Sequence, residues 1–149
     1  MSRIILLDAG PLGLVTNPRA TTENHECNLW LQERLRQGAR VLVPEIADYE
    51  VRRELLRAGK SSGLARLDAL SQTIGYVSLT TSVMRQAAAF WAQARNMGQP
   101  TAHDAALDAD VILAAQAQDL SDKGHTTVIA TTNVKHLALF VDARLWRNI

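Results

Sequence analysis

A run of bulky aliphatic residues from Ile4 to Leu7 ends in an acid, Asp8, and this feature constrains the fold most strongly. Gly10 and Pro11 follow shortly afterwards. A short apolar run bounded by Gly and Pro is typical of a strand that is buried on both faces of a parallel sheet. Asp8 would then lie outside the carboxyl end of that strand, where open α/β sheets form their binding sites. A charge there is costly unless it is paired or binds a metal ion.

Length and composition indicate one ordinary globular domain. The chain has 149 residues, enough to bury a core, and no repeat, linker or low-complexity tract divides it. Its hydrophobic fraction of 47% and net charge of +1 give no nucleic-acid or membrane signature. No membrane span or signal sequence is evident, and Cys27 has no disulfide partner. We expect a single domain over residues 1–149, located in the cytoplasm and not bound to a membrane.

Apolar runs alternate with helical patterns along the rest of the chain. Further strands are predicted over residues 41–44, 74–79 and 127–131, with a short fifth strand expected within 140–149. Helices are predicted over residues 22–37, 46–58, 62–73, 82–97 and 104–120. Strands that alternate with helices imply crossover connections, so the predicted fold class is α/β with a parallel sheet.

Two more acids belong to predicted helices. Glu50 borders the apolar stripe that includes Ile46, in the second turn of a helix that follows a strand. A weak surface ion pair with Arg53 is the alternative explanation for this acid. Asp110 has apolar neighbours at helical spacing, such as Leu113, and no cation three or four residues away. It is therefore predicted to face the interior, where it needs compensation from another part of the chain.

The fourth predicted strand ends in Thr131, and Asn133 follows two residues later. Because the first and fourth strands would end at the same edge, this hydroxyl and this amide are expected near Asp8. Turn formation or helix capping is the alternative explanation for Thr and Asn at such positions. Asp108 is interpreted either as a first-turn helix charge or as a residue that supports a metal ligand.

The acids Asp8, Glu50 and Asp110 would repel each other at one sheet edge unless cations hold them together. Oxygen ligands without an accompanying Cys or His cluster suit Mg²⁺ or Mn²⁺. Such ions generate a hydroxide nucleophile and stabilise the leaving oxygen in phosphodiester cleavage. The sequence contains no glycine-rich phosphate loop with its lysine, no Gly-x-Ser-x-Gly motif and no closely spaced His pair for zinc.

Four segments, taken in order, resemble a PIN domain and specifically a VapC-type toxin ribonuclease. They are residues 4–12, 49–55, 110–117 and 128–133. The resemblance extends over almost the whole chain and implies a three-layer α/β/α sandwich with a central parallel sheet of four or five strands. It also implies that the catalytic and metal-binding acids are Asp8, Glu50 and Asp110. Thr131 matches the hydroxyl position of the last motif.

The resemblance also implies partners for the chain. Family members typically cleave single-stranded or structured RNA, often form homodimers and are commonly inhibited by a small antitoxin protein encoded beside them. Asn133 stands where many members have a fourth acid, which weakens the argument for a second metal ion. Arg52 and Arg53 are candidates for contacts to the RNA backbone, with salt bridges or solvation as the alternative.

The preferred hypothesis is a Mg²⁺- or Mn²⁺-dependent endoribonuclease in which a metal-activated water attacks the scissile phosphate. Thr131 and Asn133 would orient that water or the phosphate, and the products would have 5′-phosphate and 3′-hydroxyl ends. The alternative is a non-catalytic module of the same fold that binds RNA or a protein through a degraded metal site, which Asn133 favours. A small phosphatase fits less well, because Gly10 stands where its second Asp is expected.

Overall fold

The computed structural model describes residues 3–98 and 104–149 of the chain. Within them lies a sheet of five parallel strands. These are β1 (Arg3–Leu7), β2 (Arg40–Pro44), β3 (Tyr76–Val77), β4 (Thr126–Thr131) and β5 (Ala143–Leu145). The strand order β3-β2-β1-β4-β5 puts β1 in the centre, with the carboxyl ends of β1 and β4 side by side.

Helices cover both faces of this sheet. They are α1 (Ala9–Thr16), α2 (Thr22–Arg36), α3 (Glu45–Arg57), α4 (Ser61–Ile74), α5 (Thr81–Asn96) and α6 (Asp104–Asp122). The first four pack mainly against one face and the last two against the other. This arrangement confirms the predicted three-layer α/β/α sandwich. Over the described ranges, no helix combines the length and the apolar character that crossing a membrane requires.

The central strand explains the continuous apolar run at the start of the chain. Ile4 and Leu6 point into the core beneath α5 and α6, whereas Ile5 and Leu7 point into the core on the opposite face. All four side chains are fully buried. A strand covered on both faces needs apolar residues at every position, so alternation of polar and apolar residues is absent.

The two main differences between the structure and the predicted elements concern α1 and β3. The chain enters α1 directly after Asp8, and this helix was not predicted. β3 is confined to Tyr76–Val77 instead of residues 74–79, because α4 continues to Ile74 with Gly75 as its C-cap and the pairing with β2 ends at Val77. Gly75 has a φ of 114°, a conformation that glycine adopts without the steric cost of a side chain.

Candidate functional site

The adjacent ends of β1 and β4 bring Asp8 and Thr131 together. The Asp8 backbone N–H donates to the carbonyl of Ala130 at 2.9 Å, which extends the β1–β4 pairing by one residue. The Thr131 hydroxyl, which is almost completely buried, donates to Asp8 Oδ2 at 2.7 Å. The Thr131 hydroxyl therefore lies next to Asp8, as predicted.

Asp8 is also the N-cap of α1. Its Oδ1 accepts a hydrogen bond from the Ala9 backbone N–H at 2.8 Å, and its backbone is extended as the cap position requires. Burial raises the pKa of Asp8, and the hydrogen bonds from Thr131 and Ala9 lower it without cancelling the rise. The carboxylate is thus oriented at both oxygens and is still costly to ionise.

Glu50 lies on α3, one turn after the point where β2 runs into this helix. Its side chain is half-buried. Burial raises the pKa of Glu50, the negative charge of Asp8 raises it further, and the guanidinium of Arg53 opposes the rise. The electrostatic influence of Asp8 means that the two acids share one region of the molecule.

Asp110 lies on α6 and is half-buried, beside the fully buried Ala114. Burial raises the pKa of Asp110 to about 7, with further contributions from the charges of Asp8 and Glu50. Three acids from β1–α1, α3 and α6 therefore act on one another electrostatically. The topology places these residues, which are far apart along the chain, in one region where their charges influence each other.

Asp8, Glu50 and Asp110 do not already form a metal-binding cluster. Among the side chains in the described ranges, no three Asp, Glu, His or Cys residues are already close enough to hold one. Side-chain movement would be needed to close Asp8, Glu50 and Asp110 around one ion. Their carboxylate oxygens match the ligand preference of Mg²⁺ or Mn²⁺ in chemical type.

Asn133 supports the site through its backbone. Its N–H donates to Thr131 Oγ1 at 3.1 Å, so the hydroxyl accepts from Asn133 while it donates to Asp8. The Asn133 side chain is exposed, and its Oδ1 accepts a hydrogen bond from the Lys135 backbone N–H at 3.2 Å. This contact is the turn-forming interaction that was the alternative explanation for this residue.

Asp108 lies on another side of α6 from Asp110. It is exposed and lines a groove between α5 and α6 together with Met84 and Trp91. Residues two positions apart on a helix point in nearly opposite directions, which accounts for the separation. The structure therefore does not bring Asp108 together with the three acids.

Arg52 and Arg53 have different surroundings, although both were candidates for RNA contacts. Arg52 pairs with Asp48 at 3.0 Å and with Asp68 at 2.6 Å, which links α3 to α4. Arg53 is exposed, lies over the Tyr49 ring at 5.1 Å and lowers the pKa of nearby Glu50. Arg53 therefore adjoins the acids, while Arg52 is engaged in an ion-pair cluster.

Asp48 belongs to that ion-pair cluster and is a buried structural acid. It also accepts a hydrogen bond from the Tyr76 hydroxyl at 3.1 Å. Burial and the Asp48 charge raise the pKa of Tyr76 to about 12. The cluster joins α3, α4 and β3. It lies on the side of α3 that faces away from Glu50, because Asp48 and Glu50 are two residues apart on this helix.

Gly10 also belongs to the candidate site, although its close contact with Thr132 was not predicted. A Cβ at this position would lie 2.5 Å from Thr132 Oγ1 and 2.7 Å from Thr132 Cγ2. The first turn of α1 and the segment after β4 therefore pack together more closely than any side chain at residue 10 permits. The signal in the sequence was the position of Gly10, two residues after an Asp that is well suited to cap a helix.

Comparisons with known proteins give structural matches only. No protein-family model matches the sequence, and no curated protein matches it. One solved structure with a similar chain is VapBC2 from Rickettsia felis bound to a DNA fragment from their promoter. That match has a TM-score of 0.72 and 14% identity, and it covers 96% of this chain and 98% of the other.

Two further solved structures contain similar chains. FitAcB from Neisseria gonorrhoeae matches with a TM-score of 0.69 and 18% identity, over 97% of this chain and 99% of the other. VapBC-1 from nontypeable Haemophilus influenzae matches with a TM-score of 0.68 and 16% identity, over 97% and 98%. Identities this low establish the fold alone. This chain therefore has the fold of chains in VapBC complexes, as the resemblance in its sequence implied.

Proposed function

We propose that this chain is a Mg²⁺- or Mn²⁺-dependent endoribonuclease and the toxin of a toxin–antitoxin pair. The main support is the electrostatic coupling of Asp8, Glu50 and Asp110, because the charges of Asp8 and Glu50 help to raise the pKa of Asp110 to about 7. A hard dication is the partner that would stabilise three such carboxylates in their charged form. The fold shared with chains of VapBC complexes supports the second part of the proposal.

In this proposal, the chain's own residues bind and orient. Asp8, Glu50 and Asp110 would hold the ion, which supplies a hydroxide nucleophile and stabilises the leaving oxygen when it is bound. Thr131 favours the charged form of Asp8 and fixes its direction through the 2.7 Å hydrogen bond. Arg53, which is exposed beside Glu50, would contact a phosphate of the RNA. With water as the nucleophile and the ribose O3′ as the leaving oxygen, the P–O3′ bond breaks and the expected products have 5′-phosphate and 3′-hydroxyl ends.

The direct test compares Asp8→Asn with Asp108→Asn in an RNA cleavage assay with Mg²⁺ or Mn²⁺. Asn retains the ability to cap α1, so the Asp8 variant should fold while it loses a metal ligand. We expect cleavage by Asp8→Asn to fall by about a hundredfold to a thousandfold, the scale on which one electrostatic group contributes to catalysis. Asp108→Asn should cleave as the parent does. Equal cleavage by the parent and Asp8→Asn would refute the proposal.

A non-catalytic module that binds RNA or protein is the second candidate. It is favoured by the Asn133 side chain, which stands in place of a fourth acid and is bonded to the Lys135 backbone. The two candidates differ in their response to metal. A titration of the parent with Mg²⁺ should produce cleavage if the chain is an enzyme, and RNA binding without cleavage if it is a module.

A small antitoxin is the proposed protein partner, on the basis of the fold shared with VapBC chains. We expect a short open reading frame immediately upstream of the gene, and coexpression of this chain with its product should yield a stable complex that no longer cleaves RNA. A neighbouring protein that neither binds nor inhibits would argue against the toxin–antitoxin assignment while leaving the nuclease assignment in place.

The proposed homodimer is supported by an apolar groove between α5 and α6. Met84 and Trp91 are 43% and 38% exposed there, and Ile112 lies beside them. A continuous apolar surface of this kind is often an interface. Trp30, by contrast, packs edge-to-face on Trp146 inside the molecule. A parent that sediments as a dimer and a Met84→Glu variant that sediments as a monomer would support this surface, whereas a monomeric parent would exclude it.

A further inference from the structure

A cavity of about 870 Å³ lies between α1, α3 and α4 and adjoins the candidate site. Glu50, Ala9 and Gly10 line it at the end nearest Asp8. Its other end reaches the turn between α3 and α4, where Lys60 precedes the first residue of α4. A molecule in this cavity would therefore extend away from the three acids without leaving the protein surface.

The charged residues that line this cavity are mostly cations. Arg19, Arg53, Arg57 and Lys60 outnumber the two carboxylates, Glu50 and Glu54. All four cations are exposed and therefore accessible to a ligand. We call the space that these cations line the basic cavity. Its charge is opposite to that of the neighbouring acids and suits a polyanion.

The cations of the basic cavity are largely available for binding. Arg57 pairs with Glu54 at 2.8 Å, an exposed contact that contributes little to stability. Arg19 and Lys60 make no ion pair with any side chain that the structure describes. A phosphate could therefore bind these groups without displacing a strong internal interaction.

The remaining lining of the basic cavity combines a few polar residues, such as Asn17, with an apolar surface that includes Val51, Leu55 and Ala58. A volume of about 870 Å³ falls within the ~300–1,000 Å³ typical of sites for small molecules, which corresponds to a few nucleotides and not to a duplex. Only an unpaired strand presents its bases to an apolar surface while its phosphates reach cations at the rim.

We propose that the basic cavity binds a single-stranded segment of the RNA substrate on one side of the scissile phosphate. Arg57 and Lys60 contact its backbone, and the apolar lining accepts its unstacked bases. This inference rests on the proposed function and extends it. It specifies that the bound RNA segment is single-stranded and that it runs from the three acids into the basic cavity. The same cavity would not accept the double-stranded part of a structured RNA.

The first test removes charge from the basic cavity. Binding of a labelled oligo(U) is measured by fluorescence anisotropy in the Asp8→Asn background, which prevents cleavage. The double variant Arg57→Gln/Lys60→Gln should bind about tenfold more weakly at physiological salt, and the slope of log Kd against log salt should fall by about 0.7 for each lost contact. The matched control is Arg36→Gln/Lys123→Gln, since Arg36 pairs with Glu33 as Arg57 pairs with Glu54.

The second test fills the basic cavity without changing its charge. A Cβ at Gly13 meets no atom within 4 Å, so Gly13→Leu places a side chain in the cavity without a clash at the backbone. It should weaken oligo(U) binding about tenfold, whereas Ala92→Leu, an exposed site on α5, should have no effect. Thermal melting of each variant verifies that it is folded.

The results separate this inference from the function on which it rests. The inference is supported if both cavity variants bind oligo(U) more weakly than the Asp8→Asn parent while the control variants bind it equally well. It also requires that the parent bind oligo(U) annealed to oligo(A) more weakly than single-stranded oligo(U). If the parent cleaves RNA and the cavity variants bind oligo(U) like the controls, the inference is overturned, the nuclease proposal stands and a partner protein becomes the better candidate occupant. If the parent neither cleaves RNA nor binds oligo(U), both proposals are refuted.

Discussion

Asp8 has a structural and a proposed chemical role in a single side chain. One carboxylate oxygen caps α1 through the Ala9 N–H, and the other accepts the hydrogen of the buried Thr131 hydroxyl. Burial still raises its pKa, so these hydrogen bonds only partly offset the loss of solvation. Substitutions that preserve the cap but alter the charge can therefore separate the two roles.

Thr131→Val tests how the hydroxyl acts on Asp8. The substitution keeps the shape of the side chain and removes a hydrogen bond that lowers the pKa of Asp8. The pKa of Asp8 should rise, and the acid limb of the rate–pH profile should move to higher pH. Loss of this buried bond to a charged group should also cost about 1.5–3 kcal/mol of unfolding free energy.

Thr131→Ser is the control for that experiment, because it retains the hydroxyl and should give the parent's rate–pH profile. A Val variant whose profile coincides with that of the parent would mean that the 2.7 Å contact has no influence on the ionisation of Asp8.

The raised pKa of Asp110 predicts that the metal-free protein becomes less stable as the pH rises. This carboxyl titrates near 3.8 in the unfolded chain and near 7 in the folded protein. Between these values the folded state binds more protons, so the free energy of unfolding falls as the pH increases through the window. The raised pKa values of Asp8 and Glu50 act in the same direction.

Asp110→Asn should reduce the loss of unfolding free energy with rising pH. The variant should therefore be more stable than the parent at pH values above the folded-state pKa of Asp110, about 7. Urea denaturation in EDTA, at about pH 5 and about pH 8, measures the difference. Asp108→Asn provides the control, since Asp108 is exposed on another side of the same helix. An equal loss of stability in the parent and in Asp110→Asn would contradict the assigned environment of Asp110.

The position of α1 depends on its contact with the segment that follows β4. Gly10 permits this contact, because a Cβ there would meet both branches of the Thr132 side chain at less than 3 Å. Thr132 is β-branched, so no rotation about its Cα–Cβ bond removes both branches from the contact region. The contact also lies next to the Asp8–Thr131 hydrogen bond, and its disturbance would move both partners.

Gly10→Ala and Gly13→Ala form a matched pair on the same helix. Gly10→Ala should destabilise the protein by about 1–3 kcal/mol, the usual cost of forcing extra atoms into a packed contact. Gly13→Ala should stabilise it by about 0.4–1 kcal/mol, because its Cβ meets no atom within 4 Å and Ala favours a helix. Thermal or urea unfolding measures both values. Equal effects of the two substitutions would show that the Thr132 contact is unimportant.

The strands were more predictable than α1 for a physical reason. Short apolar runs between turn residues mark the buried strands β1, β2 and β4 clearly. α1 is eight residues long, contains Pro11 and two glycines, and has hardly any polar residues that would reveal a helical period. β3 was overestimated because Ile74 and Gly75 continue the apolar pattern, although they belong to the end of α4.

The candidate site was predictable because the topology is simple. Asp8 follows a central strand, and in a parallel sheet the helices that bear Glu50 and Asp110 pass the same edge. The details that depend on side-chain geometry were not predictable. The Asn133 side chain bonds to the Lys135 backbone, and Arg52 joins an ion-pair cluster, because each finds a partner that only the folded chain places nearby.

The proposal that Asp8, Glu50 and Asp110 bind a single ion is tested by isothermal titration calorimetry with Mn²⁺ at about pH 8, above the pKa of about 7 of Asp110. The parent and Asp108→Asn should bind with the same affinity. Asp8→Asn, Glu50→Gln and Asp110→Asn should each bind at least about tenfold more weakly, since each loses one charged ligand of the same ion. A parent that binds no Mn²⁺, or three variants that bind it as the parent does, would contradict the metal centre and the nuclease mechanism built on it.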